Sequence, residues 1–246
     1  MLCACSKPNN ELRLTITKGI LSAGVEIGYP PMEYYDNDGI TPAGFDIELT
    51  KALAEKLGLQ IKFIDTAWEG ILAGLDAGRY DIALNITILP GRQENYNFTK
   101  SYIESSITII ALKNRAFKIE KPEHIADKRA AYQGNTTAQY FAEKLLAQGL
   151  EFSSFSYDKI KNCFDDLSLK RLDLIIVDNI AAYEYTGREN SIFEIVWQGP
   201  SDEHIGIALK KGNDALTMAL NEALDELFED GAIQEISMRI FNRNMY

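Results

Sequence analysis

Short apolar runs alternate with helical patterns from Gly19 onward, the pattern of an α/β architecture. Ile20–Ile27 reads as a strand softened by Gly24. Phe45–Leu57 reads as a helix with Asp46 as N-cap and Gly58 just past its end. Leu59–Ile64 is the next predicted strand. Thr66-Ala67-Trp68-Glu69 has the form of a capping box, which predicts a helix running to Gly78 and already accounts for Glu69. Asp81–Leu84 lacks alternation and predicts a strand buried on both faces. The second half has a similar build: strand Lys128–Tyr132, helix Thr136–Gln148 closed by Gly149, strand Glu151–Phe155, helix Asp158–Leu169 and strand Leu172–Val177. Asp81 and Asp173 each follow a basic residue and one spacer, and are predicted to be strand-entry residues with local hydrogen bonds. Asn213 opens a helix with Leu216, Leu220, Leu224 and Phe228 at spacings of four and Gly231 as its stop. A shorter helix, Ile233–Phe241, follows.

Two extended segments, Ile107–Lys113 and Ile205–Leu209, are placed to cross between two lobes. The expected division is a discontinuous first lobe, 1–108 and 205–246, and a second lobe, 109–204, with the hinge near 107–113 and 200–208. A chain of 246 residues is long enough for two compact units. Its 25 basic against 36 acidic side chains give a net charge of −11, which argues against nucleic acid and against polybasic membrane binding. No apolar stretch approaches the roughly 20 residues that span a bilayer. A monomer is expected.

Familiar catalytic chemistry is missing from the sequence. The two histidines, His124 and His204, lie in unrelated contexts. There is no Gly-x-Ser-x-Gly elbow, His-Glu-x-x-His site, phosphate loop or dinucleotide fingerprint, so neither a cofactor nor a metal is expected. The cysteines, Cys3, Cys5 and Cys163, form no Cys-x-x-Cys pair, and Cys163 reads as a core thiol. The Gly70, Gly74, Gly78 spacing marks close backbone packing.

What remains is a set of polar groups at the carboxyl ends of apolar strands, where open α/β sheets place their ligands. They are Glu26-Ile27-Gly28-Tyr29-Pro30-Pro31, Trp68 at a helix start, Asn85-Ile86-Thr87 with Arg92 five residues on, Tyr132-Gln133-Gly134-Asn135-Thr136-Thr137 at a helix N-terminus, and Asp178. In this order, together with Gly44-Phe45-Asp46-Ile47-Glu48-Leu49 and the late Asp230-Gly231, they resemble the amino-acid-binding proteins of ABC importers, the type II periplasmic binding proteins, over about Ile20 to Phe241. The resemblance implies a two-lobed α/β Venus-flytrap fold with two crossing hinge strands. It implies further that Arg92 grips the ligand α-carboxylate by two parallel charge-assisted hydrogen bonds, with Thr87, Thr136 and Thr137 completing the shell. Asp178 would hold the α-ammonium, assisted by Asn85, Ile86 and Thr87. Tyr29 and Trp68 would sandwich the side chain, and Tyr132 would close the pocket from the other lobe. Leu2 and Ala4 before Cys5 are similar to the end of a bacterial lipoprotein signal, making Cys5 the lipidation candidate on a protein anchored outside the cytoplasmic membrane.

A zwitterion between Arg92 and Asp178 would satisfy buried charges from both lobes, favouring a closed form that a transporter permease recognises. Glu26 occupies a position that suits a cationic head group or the distal ammonium of cystine. Leu84 and Asn85, however, stand where binders of basic amino acids often carry serines. Two other classes use this fold: cyclohexadienyl-type dehydratases, for which Glu26 is the available general acid, and ligand-binding domains of sensors.

Overall fold

The computed structural model describes residues 14–115, 117–243 and 245. Cys3 and Cys5 lie outside them. Two mixed sheets organise the fold. The first contains β1 (Ile20–Val25), β4 (Gln60–Asp65) and β5 (Ile82–Thr87), all parallel, after a small ribbon of β2 (Tyr34–Tyr35) and β3 (Pro42–Ala43). Beside β5 runs antiparallel β13 (Glu203–Lys210), which also pairs with β6 (Tyr96–Phe98) and β7 (Ile103–Ser105), in the order β4-β1-β5-β13-β6. The second sheet repeats the plan. Parallel β9 (Arg129–Gln133), β10 (Ser153–Tyr157) and β11 (Leu174–Asp178) are followed by antiparallel β8 (Ile107–Leu112) and β12 (Phe193–Gln198), in the order β10-β9-β11-β8-β12.

The two extended segments expected to cross each stay in one sheet. β8 lies wholly in the second sheet and is buried throughout, while β13 lies wholly in the first. The chain changes sheet in the short pieces beside them, at Ser106 between β7 and β8 and at residues 199–202 between β12 and β13.

Helix α1 (Phe45–Lys56) begins two residues earlier than an N-cap at Asp46 would place it. Gly44 stands at its N-cap with φ +119°, where a Cβ would run into the Met32 carbonyl. Asp46 is instead buried in the first turn, and neither carboxylate oxygen forms a close hydrogen bond. The expected capping box at Thr66 does not form either. Trp68–Gly70 is a 3-10 turn with Ala67 at its cap, leading into α2 (Ile71–Asp76). Of the three spaced glycines, Gly74 packs closely: with Gly24 of β1 it makes a slot for the Tyr80 ring, which a Cβ at either position would fill. Neither Gly70 nor Gly78 has a close neighbour.

Helices α3 (Pro90–Asn95), α4 (Thr137–Ala147), α5 (Ile160–Ser168) and α6 (Asn179–Gly187) flank the sheets. The chain then returns to the first sheet through α7 (Asp214–Glu229) and α8 (Ala232–Phe241), which share the core of α1 and β1. On α7 the buried stripe is Leu216, Leu220, Leu224 and Leu227, with Phe228 only partly covered, because 3.6 residues per turn drift from a strict spacing of four. Cys163 is a core thiol, pushed up to about 12 by burial. Among the described residues no helix is long and apolar enough to cross a membrane.

Candidate functional site

The parallel strands of both sheets deliver their carboxyl ends to one cleft. Between the sheets lies a cavity of about 500 Å³, counting the space at its mouth. β1 leads into Glu26 and Tyr29, the turn after β4 into Trp68, and β5 supplies Asn85 and Thr87. From the other side come Gln133 at the end of β9, Thr136 and Thr137 at the start of α4, and Asp178 at the end of β11. Asn85 takes a left-handed backbone conformation at φ +58°, which Asn tolerates better than most residues and which breaks the regular strand at the wall of the cavity.

The lobes meet across this space through a few polar contacts. Both carboxylate oxygens of Glu26 accept from Gln133 Nε2 at 2.9 Å, and the same nitrogen donates to the Asp158 carbonyl. The Tyr29 hydroxyl donates to Asp178. Trp68 Nε1 and Arg92 Nη2 both donate to the Asn135 carbonyl at 3.2 Å, while Arg92 Nη1 donates to the Thr87 carbonyl at 3.1 Å. Thr136 caps α4, accepting from the Gln139 amide, and donates to the Gln133 carbonyl.

Among the described residues four carboxylates line the cavity, Glu26, Glu33, Asp178 and Glu203, and no Lys, Arg or His does. Burial raises every one of them, because desolvation penalises the charged form. Glu26 is pushed up to about 7, partly offset by the Gln133 hydrogen bond and the charge of Lys159. Glu33 is only 1% exposed and is held well above the usual carboxylate range by burial and by Asp46. Its Oε2 accepts from the Glu26 amide, while Oε1 has no partner. Asp178 is raised by burial against the opposing effect of Tyr29 and of its own helix cap: Oδ1 accepts from the Ile180 and Ala181 amides at 2.9 Å.

Three expected site residues stand elsewhere. The Tyr132 side chain is buried under β9, its hydroxyl bonded to Ser154 Oγ, because alternation along the strand turns Gln133 to the cavity instead. The Ile86 side chain packs in the core beneath β5 for the same reason. Arg92 sits beside the cavity rather than in its wall, anchored on Thr87 and Asn135, with burial lowering its guanidinium slightly. Sequence reasoning did not nominate Glu33, Ser105, Gln133, Glu203 or Ile205, which also line the space. Strand alternation could have found Gln133, and the acid seven residues after Glu26 could have drawn attention to Glu33. Among the described residues no cluster of three or more His, Cys, Asp or Glu is arranged to hold a metal ion.

The sequence pattern of the family described as bacterial extracellular solute-binding proteins, family 3, matches residues 21–243. The chain is similar to the L-cystine-binding protein TcyJ of Escherichia coli strain K12, 30% identical over 229 residues, which cover 93% of this chain and 85% of that protein. Among solved structures, an ancestral arginine-binding protein bound to arginine matches with a TM-score of 0.86 at 31% identity, covering 91% of this chain and 98% of the other. The ancestral amino acid-binding protein AncCDT-1, a precursor of cyclohexadienyl dehydratase, matches with a TM-score of 0.81 at 29% identity, covering 91% and 95%.

Proposed function

The chain belongs to the bacterial extracellular solute-binding proteins, family 3, and on that premise we propose that it is a receptor outside the cytoplasm that encloses a polar L-amino acid, basic or cystine, and presents it to the permease of an ABC importer. The observation that carries this reading is the cavity between two sheets, lined by carboxylates and bridged by few hydrogen bonds. A ligand cation there relieves the repulsion among buried acids, so binding energy is available to hold the lobes together. Moving a 1:99 balance of closed to open forms to 99:1 takes about 5.5 kcal/mol of differential binding. Charge-assisted hydrogen bonds to both lobes are of the right size to supply it.

Arg92 is assigned the ligand α-carboxylate. A guanidinium has five N–H donors, and its contacts with the Thr87 and Asn135 carbonyls fix its plane while leaving others for two parallel bonds to a carboxylate. Asp178 takes the α-ammonium, and Tyr29 and Trp68 flank the side chain. The lobes, 14–105 with 203–243 against 107–198, rotate about Ser106 and residues 199–202. The protein works as a monomer without cofactor or catalysis, and Cys5 is its lipid anchor point.

One observation favours a second reading. A buried carboxyl near neutrality, such as Glu26, is what a dehydratase of this fold would need as its general acid. Thermal shifts of protein refolded from denaturant, measured with the twenty amino acids, cystine and ornithine, separate the two. A marked rise for basic amino acids or cystine is expected, by linkage of binding to the native state. A flat panel together with turnover of prephenate or arogenate overturns the receptor reading.

A further inference from the structure

We propose that Glu203 is a ligand-contacting, specificity-determining residue that, together with Asp178, seats the ligand's α-ammonium, so that the cavity presents two carboxylate poles and selects amino acids cationic at both ends. The inference rests on the receptor reading above.

The acids of the cavity divide into two groups about Tyr29. On one side, Glu26 and Glu33 adjoin, the amide of the first donating to the carboxylate of the second. On the other, Asp178 and Glu203 stand close enough for the charge of one to act on the other. The Tyr29 phenol lies in the field of Asp178, Glu26 and Glu203. Among the described residues no basic side chain lines the space, although the charge of Lys159 acts on Glu26.

Asp178 by itself is a poor seat for an ammonium. Its Oδ1 is engaged by two amides of α6 and its Oδ2 by the Tyr29 hydroxyl. Glu203 adds a second carboxylate at the same pole, lining the cavity with Thr137 and Ser105. The two come from opposite sheets, Asp178 from the end of β11 and Glu203 from the start of β13, directly after the passage at 199–202. A cation shared between them therefore also ties the lobes together. At the other pole, Glu33 lines the cavity beside Glu26, its Oε1 buried and without a hydrogen-bond partner among the described residues. Cystine, neutral overall, brings two carboxylates into this acidic space. A lysine, arginine or ornithine brings only one, with a cation for each pole.

The test compares L-arginine with 5-guanidinopentanoic acid, which keeps the guanidinium and carboxylate but lacks the α-ammonium, by titration calorimetry on wild type and Glu203→Gln. Glutamine retains the shape while removing the charge. The expected result is a loss of about tenfold or more in arginine affinity, with the des-amino compound changed by no more than about twofold. Equal losses for both ligands would make Glu203 a clasp between the lobes and overturn the proposal, as would unchanged arginine binding. Should Glu203→Gln fail to fold, Glu203→Ala serves with the same pair of ligands. A wild-type protein that binds no amino acid overturns the receptor reading, and this inference with it. Wild type that binds arginine while the variant binds it equally overturns only the role of Glu203.

Discussion

The two ends of the parallel strands treat acidic side chains in opposite ways. At the entry ends, Asp81 accepts from the amides of Ile16 and Ser22 and from the Ser22 hydroxyl, and Asp173 accepts from the amide, Nε and Nη2 of Arg129. The Arg129 hydrogen bonds hold Asp173 below the usual carboxylate range. At the exit ends, Glu26, Glu33, Asp178 and Glu203 are all raised, and among the described residues none forms an ion pair. What differs is that Asp173 has the Arg129 guanidinium as its counter-charge, whereas the cleft acids have neutral donors and, among the described residues, no ion pair. Entry acids are completed by their own chain and serve the fold. Exit acids are left for something the chain does not carry, which is the physical content of a binding site.

The largest break of this comparison is expected at Arg92, the guanidinium beside the cleft. Arg92→Ala should cost about 3–5 kcal/mol of amino-acid binding, because the ligand carboxylate would be enclosed without its partner. The melting temperature of the empty protein should hardly move, since the Arg92 contacts with the Thr87 and Asn135 carbonyls are hydrogen bonds without a charged partner. Near-wild-type affinity, measured by calorimetry, would remove Arg92 from the site. The next effect sharpens the comparison through pH. The Glu26 carboxyl has an ordinary value of 4.5 and is pushed up to about 7 in the fold. Between those values the folded protein keeps a proton that the unfolded chain releases. Stability is therefore greatest at low pH and falls as pH rises through about 7, by about 3 kcal/mol in all. Glu26→Gln removes that loss. The variant should be more stable than wild type at pH 8 and nearly equal to it at pH 4.5, by urea unfolding without ligand. A stability difference that does not change with pH would show that Glu26 is not held in this state.

The same contrast decides what the sequence made legible. Strand entries and cores rest on local signals. The predicted strand-entry roles of Asp81 and Asp173 match their hydrogen bonds, and the strands around Leu21, Ile82 and Ile175 follow from apolar runs. Short elements such as β6 and β7 carry no such run, and pairing with β13 makes them strands. The capping box at Thr66 matched its sequence form, yet Ala67 took the cap. Within the cleft, the order of motifs brought Glu26, Tyr29, Trp68, Asn85, Thr87, Thr136, Thr137 and Asp178 to one cavity. The choice of Tyr132 over Gln133 turned on a single step of strand register, which decides the face of every side chain. Glu203 reaches the cavity only because β13 returns from the second lobe to lie beside β5, a long-range placement with no local mark.

The smallest expected effect tests whether entry acids belong to the fold alone. Asp173→Asn exchanges charge-assisted bonds to Arg129 for neutral ones, at a site where Asp173 is 13% and Arg129 40% exposed. Solvent screens such a pair, so the loss of stability should be about 1 kcal/mol. Its sign with pH is opposite to that of Glu26. The Asp173 carboxyl is held below its ordinary 3.8, so the stability it contributes is present above that value and is lost as pH falls through the lowered folded value. Wild type and Asp173→Asn should therefore differ at pH 7 and converge in acid, whereas wild type and Glu26→Gln differ at pH 8 and converge near pH 4.5. Arginine affinity should stay within about twofold of wild type, since Asp173 lies at the far end of β11 from Asp178. A large loss of binding in Asp173→Asn would mean that the second sheet transmits changes along its length, and the division between acids of the fold and acids of the site would not stand.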